Sequence, residues 1–130
     1  MPNIYHGRAI KEKVEGHSKI GLVEDVHEYD SKMEARCARV FIKCGVRFKP
    51  HVKFECMDRE GKPFSYTVDF LFEASQKLLG ISAAVEAIEV KGALCRHDLL
   101  RIEALKFKHG IRTFIATEPL IGMWEREGVR

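Results

Sequence analysis

The chain contains no apolar run approaching the about 20 residues that a bilayer-spanning helix needs. Its opening, Met1-Pro2-Asn3-Ile4-Tyr5-His6, lacks the charged-then-apolar order of a secretory signal. A cytoplasmic protein without membrane attachment is therefore expected. Cysteine pairs of the CxxC kind are also missing: Cys37, Cys44, Cys56 and Cys95 stand apart, with no zinc-ligand spacing to the histidines. Cys37 and Cys44 fall on one helical face about two turns apart, too far to bond each other. Reduced, mostly buried thiols are the expectation. Internal repeats and low-complexity tracts are absent. So is a strong net charge: 22 Lys and Arg against 19 Asp and Glu leave +3, which selects no partner by itself.

What is present suits one folded domain. The chain has 130 residues, 45% of them hydrophobic, enough for a single packed core. Its cations are grouped, with Lys43, Arg47, Lys49 and Lys53 in one stretch and Arg96, Arg101, Lys106, Lys108 and Arg112 in another. Such clusters suit a polyanion, although they also occur on plain solvated surfaces.

Residues 1–29 are weakly patterned, with glycines at Gly7, Gly16 and Gly21, and read as an N-terminal arm carrying one short hairpin. The domain proper is expected over residues 30–130. Asp30 or Ser31 can cap a helix from Ser31 to Cys44, with Glu34 in capping-box position and Gly45 as the stop. Met33, Cys37, Val40, Phe41 and Cys44 repeat at helical spacing. From Val46 to Cys56 apolar residues alternate with Arg47, Lys49, His51, Lys53 and Glu55, which predicts a strand with one wet, basic face. Pro50 puts it at an edge or a bulge. A turn over Asp58–Pro63 leads to a second strand, Phe64 to Phe72, with Phe64, Tyr66, Val68, Phe70 and Phe72 on one face and Asp69 on the other. The segment Glu73 to Ala84 has room for a short helix. A third strand over Val85–Lys91, a helix over Arg96–His109 closed by Gly110, and a fourth strand over Ile111–Thr117 complete the pattern. A last turn or short helix is expected around Leu120–Glu125, with Trp124 as a packing residue. The order predicts an α/β sandwich: a mixed central sheet of about four strands flanked by helices, its last unit a parallel crossover.

The chemistry concentrates in Ala87-Ile88-Glu89-Val90-Lys91. On a strand, Glu89 and Lys91 point to one side while Ile88 and Val90 point to the other. If the strand of Asp69 lies alongside, Asp69, Glu89 and Lys91 converge. Two carboxylates supply hard oxygen ligands for magnesium. A lysine beside them can position the attacking water and steady charge on a phosphate. Gly92 permits close approach of a backbone or phosphate. The plain alternative is a surface Glu-x-Lys ion pair.

The pattern Tyr66-Thr67-Val68-Asp69-Phe70-Leu71 followed by Ile88-Glu89-Val90-Lys91-Gly92 resembles the PD-(D/E)XK nuclease signature. The preceding Tyr29-Asp30-Ser31-Lys32-Met33-Glu34 is similar to the Tyr-x-Ser-x-x-Glu helix start of TnsA-type transposon endonucleases and phage endonuclease I resolvases. The proline that usually precedes the first acid is Val68 here, and the Asp69–Glu89 segment is longer than in compact members. The resemblance implies a restriction-endonuclease-like fold and a magnesium- or manganese-dependent endodeoxyribonuclease. In that scheme Glu34, Asp69, Glu89 and Lys91 are catalytic. Asp69, Glu89, Glu34 and the backbone carbonyl of Val90 hold the metal. Lys49, Lys53, Arg96, His97 and Arg101 are candidate DNA contacts. A homodimer is expected, so that two sites address two strands. The readings within this class are a TnsA-like nuclease of a mobile element or phage and a Holliday junction or branched-DNA resolvase. Outside it stand a non-catalytic DNA-binding module on the same fold and a plain interaction protein.

Overall fold

The computed structural model describes residues 10–130, so Gly7 and the rest of the expected arm before Ile10 lie outside the described residues. The chain forms two compact units, one running through Arg47 and one from Phe48 to Arg130.

In the first unit, β1 (Glu12–Val14) pairs antiparallel with β2 (His27–Tyr29). The two are not joined by a tight hairpin turn. A 3-10 turn over His17–Ile20 intervenes, tied down by Asp25, whose carboxylate accepts from the Gly16 and Ser18 backbone N–H groups and from the Ser18 hydroxyl. His17 is wholly buried beside this turn. Helix α1 (Lys32–Lys43) begins where the capping pattern predicts: the Ser31 hydroxyl accepts the Glu34 backbone N–H at 3.1 Å. It ends at Gly45 (φ 72°), after which the Val46 N–H returns to the Phe41 carbonyl. Ala35, Cys37, Ala38, Val40 and Phe41 form its buried stripe.

The second unit is built on a mixed sheet in the order β3-β4-β5-β6. Strands β3 (Phe48–Met57), β4 (Pro63–Gln76) and β5 (Val85–Val90) run antiparallel in turn; β6 (Thr113–Ala116) is parallel to β5. Helix α2 (Arg96–His109) makes the connection that a parallel pair requires. Helix α3 (Glu118–Glu127) follows, with Ile121 and Trp124 buried and the Trp124 indole N–H donating to the Leu79 carbonyl at 2.8 Å. The α/β class and the mixed four-stranded sheet agree with the expected architecture. Pro50 is tolerated because β3 is an edge strand. Among the described residues, no helix is long and apolar enough to cross a membrane.

Two expectations are corrected. The segment after Phe72 holds no helix: β4 continues to Gln76, where it pairs with Val85 after a register shift, and the chain then turns through Gly80 (φ 85°). The second correction concerns faces. Val52, Phe54, Cys56, Phe64, Tyr66 and Val68 pack with Ala87 and with Leu105 of α2. Leu71 belongs to the same cluster, although strict alternation sets it opposite Val68. Phe70 instead pairs across the sheet with Ile88 and meets Phe48 edge-on at 5.0 Å. The apolar side of the hairpin therefore changes face between Val68 and Leu71. His51, with φ 52°, stands at the same level of β3. Both strands slip together, so the pairing register is unchanged on either side of the switch: Pro50 faces Phe70 and Val52 faces Val68.

Candidate functional site

Asp69 stands at this switch. One step beyond the Phe70–Ile88 pair, it comes level with Glu89 on the neighbouring strand. Its carboxylate turns toward β5 and accepts the Val90 backbone N–H at 2.7 Å, supplying a bond that the strand ladder would otherwise make. A charged acceptor of this kind ties the two strands at the site more strongly than a neutral carbonyl.

Glu89 and Lys91 project to the α2 side of β5, as their i, i+2 spacing requires. Glu89 is only 7% exposed. Lys91 Nζ lies 3.4 Å from its Oε2 and 3.6 Å from Oδ1 of Asp98, in the first turn of α2. The Tyr66 hydroxyl donates to Glu89 Oε1 at 3.4 Å, and the Arg101 guanidinium sits over the Tyr66 ring at 5.9 Å. Asp98 is itself 8% exposed, and its Oδ2 takes the Cys95 thiol at 3.1 Å.

Burial penalises the charged form of Glu89 and pushes its carboxyl above the usual range, although Lys91 and Tyr66 act in the opposite sense. Lys91 is pulled down by partial burial but raised more by Glu89, Asp98 and Asp69, so it remains a firm cation. The Tyr66 phenol is pushed up by burial, with Glu89, Asp69 and Asp98 adding to the effect, and stays protonated. Two carboxylates, of Glu89 and Asp98, thus hold one ammonium, with the charge of Asp69 acting on it from farther off.

The remaining sequence candidates distribute as follows. Glu34 belongs to the first unit, in the opening turn of α1, where its carboxylate takes the Ser31 hydroxyl at 3.5 Å. Val90 meets Asp69 through its N–H. Arg96 and His97 are exposed at the start of α2, and Arg101 is half-buried against Tyr66. Lys49 and Lys53 are both exposed, but they do not share a face. Lys49 lies across from Leu71, on the α2 side, whereas Lys53 alternates against Val52 and Phe54 of that side. The single basic face expected for this strand is split by the switch at His51.

The sequence reading assigned Asp98 no place among the site residues and took Tyr66 as one of the apolar residues on a strand face. A signal for the first existed. Cys95 and Asp98 have the spacing of an N-cap residue and the first-turn acid three residues after it, which directs the carboxylate back over the entering chain toward Lys91. No protein-family model, no curated protein and no solved structure matches this chain.

Proposed function

We propose that this chain is a divalent-cation-dependent DNA endonuclease whose reactive set is Asp69, Glu89 and Lys91. The observation that carries the reading is the meeting of Glu89 and Lys91 beside Asp69 across two paired strands, with Asp98 adding a further acid. Glu89 and Asp69 are the residues that would hold magnesium or manganese, since both offer hard carboxylate oxygens. Such an ion, when bound, supplies Lewis-acid polarisation of a phosphate and a more acidic bound water.

The protein's own groups have distinct tasks in this reading. Lys91, kept cationic by its acidic neighbours, steadies charge that accumulates on the scissile phosphate. Tyr66 orients Glu89 through its hydroxyl and lends the carboxylate an apolar wall. Asp69 aligns β4 with β5 through the Val90 N–H, so that the two strand acids keep their spacing. The likeness of Tyr29, Ser31 and Glu34 to transposon-end and junction-resolving nucleases favours DNA over a small phosphodiester as substrate. Dimerisation belongs to the same proposal, because cutting both strands of a duplex needs two sites.

The test is cleavage of supercoiled plasmid and of a four-way junction with magnesium or manganese, comparing wild type with Glu89→Ala and Lys91→Ala. Each variant is expected to lose at least about 100-fold in rate while keeping salt-sensitive DNA binding. Preference for the junction over linear duplex would identify a resolvase. Equal cutting by variants and wild type would overturn the assignment. DNA binding without cutting by any of the three would leave a non-catalytic module.

A further inference from the structure

We infer that Asp98 is a positioning residue for Lys91, holding the ammonium in the site when Glu89 is engaged by another cation. The inference rests on the proposed site and adds to it a residue from a different element. The ammonium lies between two carboxylates, at 3.4 Å from Glu89 and 3.6 Å from Asp98. Glu89 is the one facing Tyr66 and the strand of Asp69; Asp98 arrives from the helix side.

A cation drawn to Glu89 competes with Lys91 for the same carboxylate, because two positive charges crowded on one oxygen pair repel. With Glu89 as its sole anchor, the lysine would be expelled toward solvent just when it is needed, since its side chain is already 33% exposed. Asp98 provides a second anchor that the incoming charge does not have to share. Its two oxygens are divided between tasks: Oδ2 is held by the Cys95 thiol, and Oδ1 faces Lys91. The acid is also fixed in place by the backbone, because the Asp98 N–H closes a turn onto the Cys95 carbonyl at 3.2 Å. Its location in the first helical turn favours a permanent negative charge there. Lys91 and Asp98 together therefore form a pair that persists while Glu89 changes partners.

The measurement is the mobility of the Lys91 ammonium, read from Nζ–H correlation spectra of the whole 15N-labelled chain, with and without magnesium. In wild type Lys91 is expected to be restricted relative to an exposed lysine such as Lys62. Glu89→Gln should leave that restriction in place, since Asp98 still holds the ammonium. Asp98→Asn and Asp98→Ala should release Lys91 to the mobility of Lys62 in the presence of magnesium, and Asp98→Glu should restore it. Backbone amide spectra establish that each variant is folded. In the cleavage assay Asp98→Asn should lower kcat about tenfold with little change in KM, and should cost nothing further in a Lys91→Ala background.

Two results overturn the inference: Lys91 equally restricted in magnesium after Asp98 is removed, or released by Glu89→Gln alone. The two readings fail separately. Restriction that depends on Asp98 in a protein that cuts no DNA rejects the nuclease and keeps the lysine pair. Cutting with Lys91 indifferent to Asp98 does the reverse.

Discussion

At the residue scale, several buried and half-buried charges among the described residues are held by neighbours at short range. Glu86 and Arg112 illustrate the case away from the candidate site. The Arg112 guanidinium meets both Glu86 oxygens, at 3.1 and 2.6 Å, and the Ser75 hydroxyl adds a third bond at 2.6 Å. Arg112 first, and Ser75 after it, hold the Glu86 carboxyl down at about 2, against 4.5 for an ordinary glutamate. The folded state therefore binds this proton less readily than the unfolded chain. The pair stabilises the fold above about 4.5 and loses that contribution as the pH falls toward about 2. Glu86→Gln should cost on the order of 1 kcal/mol at neutral pH, solvent screening included. Urea titrations at several pH values should find the difference from wild type fading across the acid range; a difference independent of pH would contradict the account. His17 is likewise held at both ring nitrogens: Nδ1 lies 3.0 Å from the Asp25 carbonyl, to which it can only donate, and Nε2 lies 2.6 Å from the Tyr29 hydroxyl. Tyr29, part of the motif that suggested a nuclease, thus has a structural bond inside its own unit.

At the scale of elements, local chemistry explains most beginnings and ends, and side-chain packing explains the exceptions. Ser31 starts α1, and Gly110 ends α2 at φ 71° with its N–H on the Lys106 carbonyl. The Asp58 turn closes through two backbone N–H groups on one carboxylate oxygen. The approach to α3 is set differently. Gly80 adopts φ 85°, and a Cβ there would lie 2.8 Å from Met123 Cε and 2.9 Å from Leu120 Cδ1. The two side-chain tips can give way, but the positive φ strains any residue with a Cβ, so Gly80→Ala should destabilise by about 1 kcal/mol or more. A drop in the urea midpoint without a change in slope would report it; no drop would contradict the backbone strain at this position. The hairpin of β3 and β4 is the element that strict alternation misreads. Its two strands change face together at His51 and Asp69, which brings Tyr66 to the Glu89 side while leaving Phe70 opposite Ile88.

At the scale of the whole molecule, the net charge of +3 is too small to dictate a partner, and the arrangement of cations becomes the testable quantity. Lys49 and Lys53 are exposed on opposite faces of β3, so a duplex lying along one face can contact only one of them. Each phosphate contact contributes about one unit to the dependence of log affinity on log salt. If the chain binds DNA as proposed, replacing one of the two lysines by alanine should lower that slope by about one, and replacing the other should leave it unchanged. Anisotropy titrations over a range of salt would decide it, and equal effects from both would mean that DNA reaches both faces.

How much of this could be read without coordinates depends on how far apart the cooperating residues lie. The cap and stop of α1, the extent of α2, the edge position of β3 and the i, i+2 pairing of Glu89 with Lys91 are short-range matters, decided by dihedral preference, capping and period two. A strand that runs on to Gln76, a face switch shared by two strands, and an aspartate on a later helix gripping Lys91 depend on partners distant along the chain. Sequence alone determined that Glu89 and Lys91 share one face of β5, because alternation along one strand is a local property. Only the tertiary structure decided that Asp69 binds the Val90 amide and that Asp98 joins Lys91, because each requires two elements to meet and water to be excluded between them.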